Sequence, residues 1–459
     1  MNLIDRAWLL ADRHDMPIHV AGLAIFAPPD DGGDDFVPNL ISDFRATRTF
    51  ARPFNQRLRQ SRFPTLTPAR EVLADEEIDL DYHLRYSALP RPGGEQELNT
   101  LVSLLHTQPH DPTRPLWEFH VIEGLDDGRF AMLLKIHHAL MDGVSGMRRL
   151  IRMVTSDPAD HGRVPVWAVG ATDPARATRR PAPRASLARR VTSRARLTSE
   201  FAKAAAGLTR DAVRPPDSPA AAVFGAPKSM LNERITRQRR VATQTFELAR
   251  IKRTAEATDG TVNDVFLAIC AAALRRYLSE LDALPEWNLT AGTPVSMRDA
   301  GDGTAGNAFG LILVNLHTRV TDPAERLKAI GRSSRMAKDG LAELPTMVAN
   351  NSGVLLFGPF IIEQLTRLAG HTRPPCNLII SNVPGPDGPL YFNGASLERL
   401  YPISPIFDGL ALNITVMSAS GRLNLGIVGC RDSVPRMQRL ADHHGQALTE
   451  LEESLSLAA

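Results

Sequence analysis

The chain has 459 residues, 43% of them apolar and 23% charged, with a net charge of +2. That length exceeds one comfortable core and suits two domains of ordinary size, and the balance is that of a soluble globular protein. So small a net charge gives no case for nucleic acid as the main partner, and no stretch reaches the roughly 18 apolar residues that a membrane span needs.

Taken in chain order, residues 1–12 mix early acids with short apolar patches and do not read as a signal peptide. Residues 18–26 have a strand's apolar content and stop at Pro28 and Pro29. Residues 101–106 read as the end of a helix. Residues 117–122 and 130–137 read as two strands joined by turn chemistry at 123–128, and residues 144–154 as a helix. Composition then shifts. Residues 171–200 carry eight arginines against two acids, with Pro174, Pro181 and Pro183 interspersed, as in an inter-domain connection. Within and beyond it, Leu187, Val191, Leu197, Phe201, Ala205 and Leu208 follow helical spacing. Two readings of that basic helix stay open: a face lying on an anionic membrane, or a helix packed on its own protein.

A second mixed domain starts near Val241. It holds β-like runs at 242–248, 290–295, 311–316, 378–381, 410–417 and 423–428, and an alanine-rich helix at 263–278. Residues 354–362, interrupted by Gly358 and Pro359, read as a buried segment rather than a span. Cys270, Cys376 and Cys430 lie far apart with no CxxC pair, and read as buried thiols of a reducing compartment. The division is therefore 1–157, a basic connection at 158–240, and 241–459.

Chemistry concentrates at His137-His138-Ala139-Leu140-Met141-Asp142-Gly143. The pair sits at the end of a β-like run, where a side chain is held rigidly toward a cleft. Gly143 permits a sharp change of direction into the next helix. A histidine that titrates near neutrality accepts a proton from an alcohol and returns it to a leaving group. Asp142 suits fixing a nearby cation or orienting the imidazole. Other readings remain at this point: a metal pair, although adjacent strand residues point to opposite faces, and a purely structural pair. A serine hydrolase needs a G-x-S-x-G elbow, which the sequence lacks. Direct attack by a substrate hydroxyl is the simpler chemistry.

Further segments accompany the histidines: Leu3-Ile4-Asp5, Pro115-Leu116-Trp117-Glu118, Asn263-Asp264-Val265, Thr293-Pro294-Val295-Ser296-Met297-Arg298, Ser381-Asn382-Val383-Pro384-Gly385-Pro386 and residues 410–417. With these, in order along nearly the whole chain, the sequence resembles the bacterial wax ester synthase/diacylglycerol acyltransferase family, within the chloramphenicol-acetyltransferase-like and condensation-domain superfamily. The resemblance implies an α/β (α+β) fold. It would comprise two acyltransferase-like domains, mixed sheets flanked by helices, and an active-site channel between them.

The resemblance also implies roles. His138 would be the proton acceptor and His137 its geometric support. Asp142 would be structural, paired with an arginine for which Arg298 is the candidate. Asn263 would donate to the developing oxyanion, or else cap its helix, with Asp264 beside it. Trp117 reads as core or wall. Ser381, Asn382, Pro384 and Gly385 would form a rigid loop, either a simple turn or the mouth that receives substrate. The implied substrates are long-chain acyl-CoA with diacylglycerol or a long-chain alcohol. No metal or redox cofactor is implied, since acyl-CoA is a substrate. The expected location is cytoplasmic, with peripheral contact at the inner membrane face or at lipid bodies. The competing functions are an acyltransferase using a carrier-bound donor, a catalytically weak lipid-surface protein, and a metal-dependent hydrolase.

Overall fold

The structure, a computed structural model, describes residues 3–59, 69–171, 221, 225–296, 309–342 and 352–457. The basic helix expected within 187–208 and Arg298 lie outside the described residues.

The chain opens with α1 (Leu3–Ala11), β1 (His19–Ala27), α2 (Phe36–Ala46), β2 (Gln56–Leu58) and β3 (Arg70–Val72). There follow α3 (Leu80–His83), β4 (Leu84–Ala88), α4 (Glu95–Thr107), β5 (Trp117–Glu123), β6 (Phe130–His137) and α5 (Gly143–Met153). The second half contains β7 (Arg239–Glu247), α6 (Leu248–Ala257), α7 (Val262–Glu280), β8 (Thr290–Ser296), β9 (Phe309–Asn315), α8 (Pro323–Ala342) and α9 (Ser352–Thr366). It ends with β10 (Leu378–Val383), β11 (Tyr391–Phe392), β12 (Ala395–Ile403), β13 (Leu412–Ala419), β14 (Arg422–Cys430) and α10 (Met437–Ser454). The expected strands and helices that fall on described residues are present, and the β5–β6 turn uses Gly124 and Gly128 at positive φ.

Two six-stranded mixed sheets form the frame. The first runs β11-β12-β1-β6-β5-β4 and the second β7-β14-β13-β10-β8-β9. β6 is antiparallel to β1 and β5, whereas β10 is parallel to β13 and β8. β11 and β12 belong to the second half of the sequence yet complete the first sheet, with β12 antiparallel to β1. The division at 157 and 240 therefore does not separate the sheets.

Nor is the stretch from 158 to 240 wholly a connection. Trp167 is buried in the first core and donates from Nε1 to the Thr47 carbonyl at 3.1 Å. At the other end Asn232 is buried and donates to the carbonyls of Cys376 and Gly409 at 3.1 and 2.9 Å. Aromatic and aliphatic side chains are worth more inside than in water, and Trp167 at one end and Leu231 and Ile235 at the other are buried.

Alternation along β6 divides its side chains between two cores. Phe130, Met132, Leu134 and Ile136 join Trp117, Phe119 and Trp167 on one face. Ala131 and Leu133 face the other core, which also holds most of the second sheet and α7. Cys270, Cys376 and Cys430 are buried and free, as expected. Residues 354–362 fall inside α9, which contains Pro359. They are not uniformly buried as expected, for Phe360 is enclosed but Ile362 is exposed. No single helix among the described residues is long and apolar enough to cross a membrane.

Candidate active site

The two histidines differ in every contact they make. His137, the last residue of β6, is buried opposite His19 of β1. Its Nδ1 accepts from the Ala139 N–H at 3.0 Å, which places its own proton on Nε2. That Nε2 lies 3.7 Å from Oδ2 of Asp12, while Oδ1 of Asp12 accepts from the Ile18 N–H at 2.8 Å. His138 has left the strand; its N–H donates to the Ile18 carbonyl at 3.0 Å. Its ring, largely but not wholly enclosed, lies 5.2 Å from the Trp8 ring at 51°. Burial lowers its pKa, Asp142 opposes the shift and His137 adds to it, so the imidazole is neutral and able to accept a proton at ordinary pH.

α1 supplies much of this setting. Trp8 also stacks on Phe407 at 5.3 Å, and Arg13 pairs with Asp408 at 2.6 Å, so the histidine pair sits where the two halves of the chain meet. Arg70 ties α1 to the histidine loop, donating to Asp5 at 3.1 Å and to the Ala139 carbonyl. Behind His137, at the same side of β6 two residues earlier, lies Lys135. Its ammonium donates to the Leu105 and Gln108 carbonyls at the end of α4 and lies 3.2 Å from Glu118. Burial works against ionised Glu118, but hydrogen bonds from His110 and His120 and the charge of Lys135 hold its carboxyl well below the usual range.

Trp8, Asp12, Arg70 and Lys135 are absent from the sequence-derived site. Period-two alternation on β6 points to Lys135; nothing in the sequence pairs Asp12 with His137.

The remaining expectations fall out unevenly. Asp142 caps α5, its Oδ1 accepting from the Ser145 N–H at 2.7 Å; its expected partner Arg298 is not among the described residues. Gly143 opens α5 without a positive φ, and a Cβ there would meet nothing within 4 Å, so the turn does not demand glycine as expected. Asn263 stands in the first turn of α7, but the cap is Thr261, whose hydroxyl accepts from the Asp264 N–H at 3.1 Å. Asp264 returns the capping box through Oδ2, which leaves the Asn263 amide outside it. Among the described residues, no hydrogen bond, ion pair or ring contact joins Asn263 to either histidine.

Trp117 is core: it donates from Nε1 to the Phe54 carbonyl at 2.9 Å and stacks on His83 at 4.2 Å. Ser381 and Asn382 lie half-buried just before Val383 ends β10, and Pro384 is exposed. Gly385 donates to Ser418 Oγ at 2.9 Å, and a Cβ on it would lie 2.2 Å from the Ser418 carbonyl oxygen. Close backbone approach therefore explains this glycine. A cleft of about 400 Å³ lined by Arg275, Arg276, Arg326 and Glu450 includes neither histidine.

Comparison with known proteins gives the family of the chain. The model of the wax ester synthase/diacylglycerol acyltransferase catalytic domain matches residues 1–266, and that of the WS/DGAT C-terminal domain matches residues 305–452. A putative diacylglycerol O-acyltransferase of Mycobacterium tuberculosis H37Rv is 41% identical, with 100% of both chains covered. The O-acyltransferase WSD of Acinetobacter baylyi is 37% identical over 99% of this chain and 95% of its own. The solved wax ester synthase/diacylglycerol acyltransferase of Marinobacter aquaeolei VT8 is 37% identical, with a TM-score of 0.78 and full coverage of both chains. The first condensation domain of the calcium-dependent antibiotic synthetase, 19% identical with a TM-score of 0.60 over 99% of this chain and 96% of its own, shares the fold. The chain thus belongs to the wax ester synthase/diacylglycerol acyltransferase family and is an acyltransferase.

Proposed function

We propose that the protein transfers a long-chain fatty acyl group from acyl-CoA to the free hydroxyl of diacylglycerol, with long-chain fatty alcohols as a second acceptor. His138 accepts the hydroxyl proton as the oxygen attacks the thioester carbon. The C–S bond then breaks, and the imidazolium returns the proton to the departing coenzyme A thiolate. The observation that carries this reading is the neutral, largely enclosed His138 imidazole beside Trp8 at the junction of the two halves. A base works best when its pKa lies near or below the operating pH and its ring is held in place. Asp12 and His137 act as positioning residues behind it, and Asn263 is the proposed oxyanion donor, its amide being free of the helix cap. The reading calls for no metal or redox cofactor.

The test is purified protein with palmitoyl-CoA and either diacylglycerol or hexadecanol, beside His138→Ala. Loss of a general base costs about 10²–10⁴-fold in rate. Equal product from both proteins would overturn the mechanism. Transfer from an acylated carrier protein but not from free acyl-CoA would instead favour the carrier-bound donor.

A further inference from the structure

The outer side of α9 and the turn that follows it form an apolar ridge. Phe360 and Gln364, four residues apart, are buried on the inner side, whereas Ile362, Leu365 and Leu368 are 60%, 46% and 52% exposed. Leu10 of the neighbouring α1 is 39% exposed, and Arg13 donates to the Gln364 carbonyl at 3.3 Å, joining the two elements. Arg367, in left-handed backbone at φ 60°, ends the helix and is exposed, as are His371 and Arg373. From residue 364 to 373 there is no acid. Of the acids nearby, Asp15 is paired with Arg13, and burial raises the pKa of the Glu363 carboxyl against a hydrogen bond from Thr372.

The inner side of the same helix leads to the histidines. Phe360 packs edge-on to Phe407 at 5.8 Å, Phe407 stacks on Trp8, and Trp8 faces His138. Three large apolar side chains with the exposed guanidiniums of Arg367, Arg373 and Arg234 around them, against half-buried Glu363 and exposed Glu233, are a surface pattern suited to a headgroup layer, where the apolar groups leave water and the cations meet phosphates.

We propose that this ridge docks the protein on an anionic lipid surface, with Ile362, Leu365 and Leu368 entering the headgroup layer and Arg367 and Arg373 meeting lipid phosphates. The surface is separate from the basic connection in sequence. It brings the outer wall of the histidine site against the phase that would hold an apolar acceptor. The proposal rests on the acyl-transfer reading for its purpose alone. Vesicle binding is measured without turnover, so the two stand or fall separately.

The test is co-sedimentation of the full chain with vesicles of phosphatidylcholine, with and without phosphatidylglycerol, at low and high salt. The wild-type protein is expected to bind the anionic vesicles and to be released by salt. Replacing two of the three apolar groups (Leu365→Glu with Leu368→Glu), or both cations (Arg367→Glu with Arg373→Glu), is expected to weaken that binding about tenfold or more. Leu104→Glu, exposed on α4, serves as a control that keeps wild-type binding. Unchanged circular dichroism shows that each variant is folded. Absence of wild-type binding to anionic vesicles, or wild-type binding by both folded double variants, would overturn the proposal. So would a wild-type dimer that the leucine variant makes monomeric without changing vesicle binding, since the ridge would then join two copies.

Discussion

Asp12 and His137 brace the backbone that carries His138. The Asp12 carboxylate is anchored by the Ile18 N–H and faces Nε2 of His137, whose other nitrogen is held by the Ala139 N–H. The backbone from 137 to 139 therefore has little freedom to rotate, and the His138 ring between them is carried with it. Asp12→Asn keeps an oxygen for the Ile18 N–H but removes the charge. It is expected to lower kcat/KM about tenfold, the scale of losing an orienting partner, while the denaturation midpoint stays near wild type. Unchanged kcat/KM with a lowered denaturation midpoint would make Asp12 merely structural. Two glycines show what a motif does and does not say. Gly143 belongs to the histidine motif, yet its backbone has no need of glycine. Gly385 looks like turn chemistry, yet its requirement comes from the Ser418 carbonyl, 33 residues away in the chain.

At the scale of elements, β5 and β6 carry their polar groups on the side that meets α4. Lys135 holds the last carbonyls of α4, and His19, His106 and His110 cluster nearby, their rings 4.5 to 5.3 Å apart. Burial pushes His83 to about 4, His106 to about 3 and His110 to about 4. Each of these folded-state values lies below the ordinary histidine value of 6.5. The unfolded chain therefore takes up protons first. Their stabilising effect is complete above that ordinary value and is lost as pH falls from it toward about 4. Each contributes a slope of about 1.4 kcal/mol per pH unit in that window. The urea midpoint is thus expected to drop between about pH 7 and about pH 5. His83→Asn, which keeps a donor for the Trp117 carbonyl, is expected to flatten the slope. A midpoint constant over that range would contradict the assignment of these rings as neutral.

At the scale of the molecule, β12 of the second half completes the first sheet, and its Pro402 meets Gly426 of β14 in the second sheet. A Cβ at Gly426 would lie 1.9 Å from the Pro402 carbonyl oxygen, backbone against backbone. Gly426→Ala must therefore part the sheets, and is expected to cost about 3 kcal/mol in equilibrium unfolding. Wild-type stability would show that the sheets can separate there without loss. Unlike α1, most strands and the helices α5 and α7 were legible in the sequence, because period-two and 3.6-residue patterns are local and record which side of an element is buried. So was the family, since the histidine motif and its accompanying segments are each contiguous stretches of sequence. The crossing of residues 391–403 into the first sheet was not legible, because strand partners hundreds of residues apart leave no mark in either strand's own pattern. Asp12 behind His137, Trp8 against His138, and the glycines at 385 and 426 belong to the same class. The sequence by itself determined the type and approximate extent of most elements and the motif that holds the proposed base. Only the tertiary structure decided its neighbours, because those contacts are made by side chains and carbonyls that folding alone brings within a few ångströms.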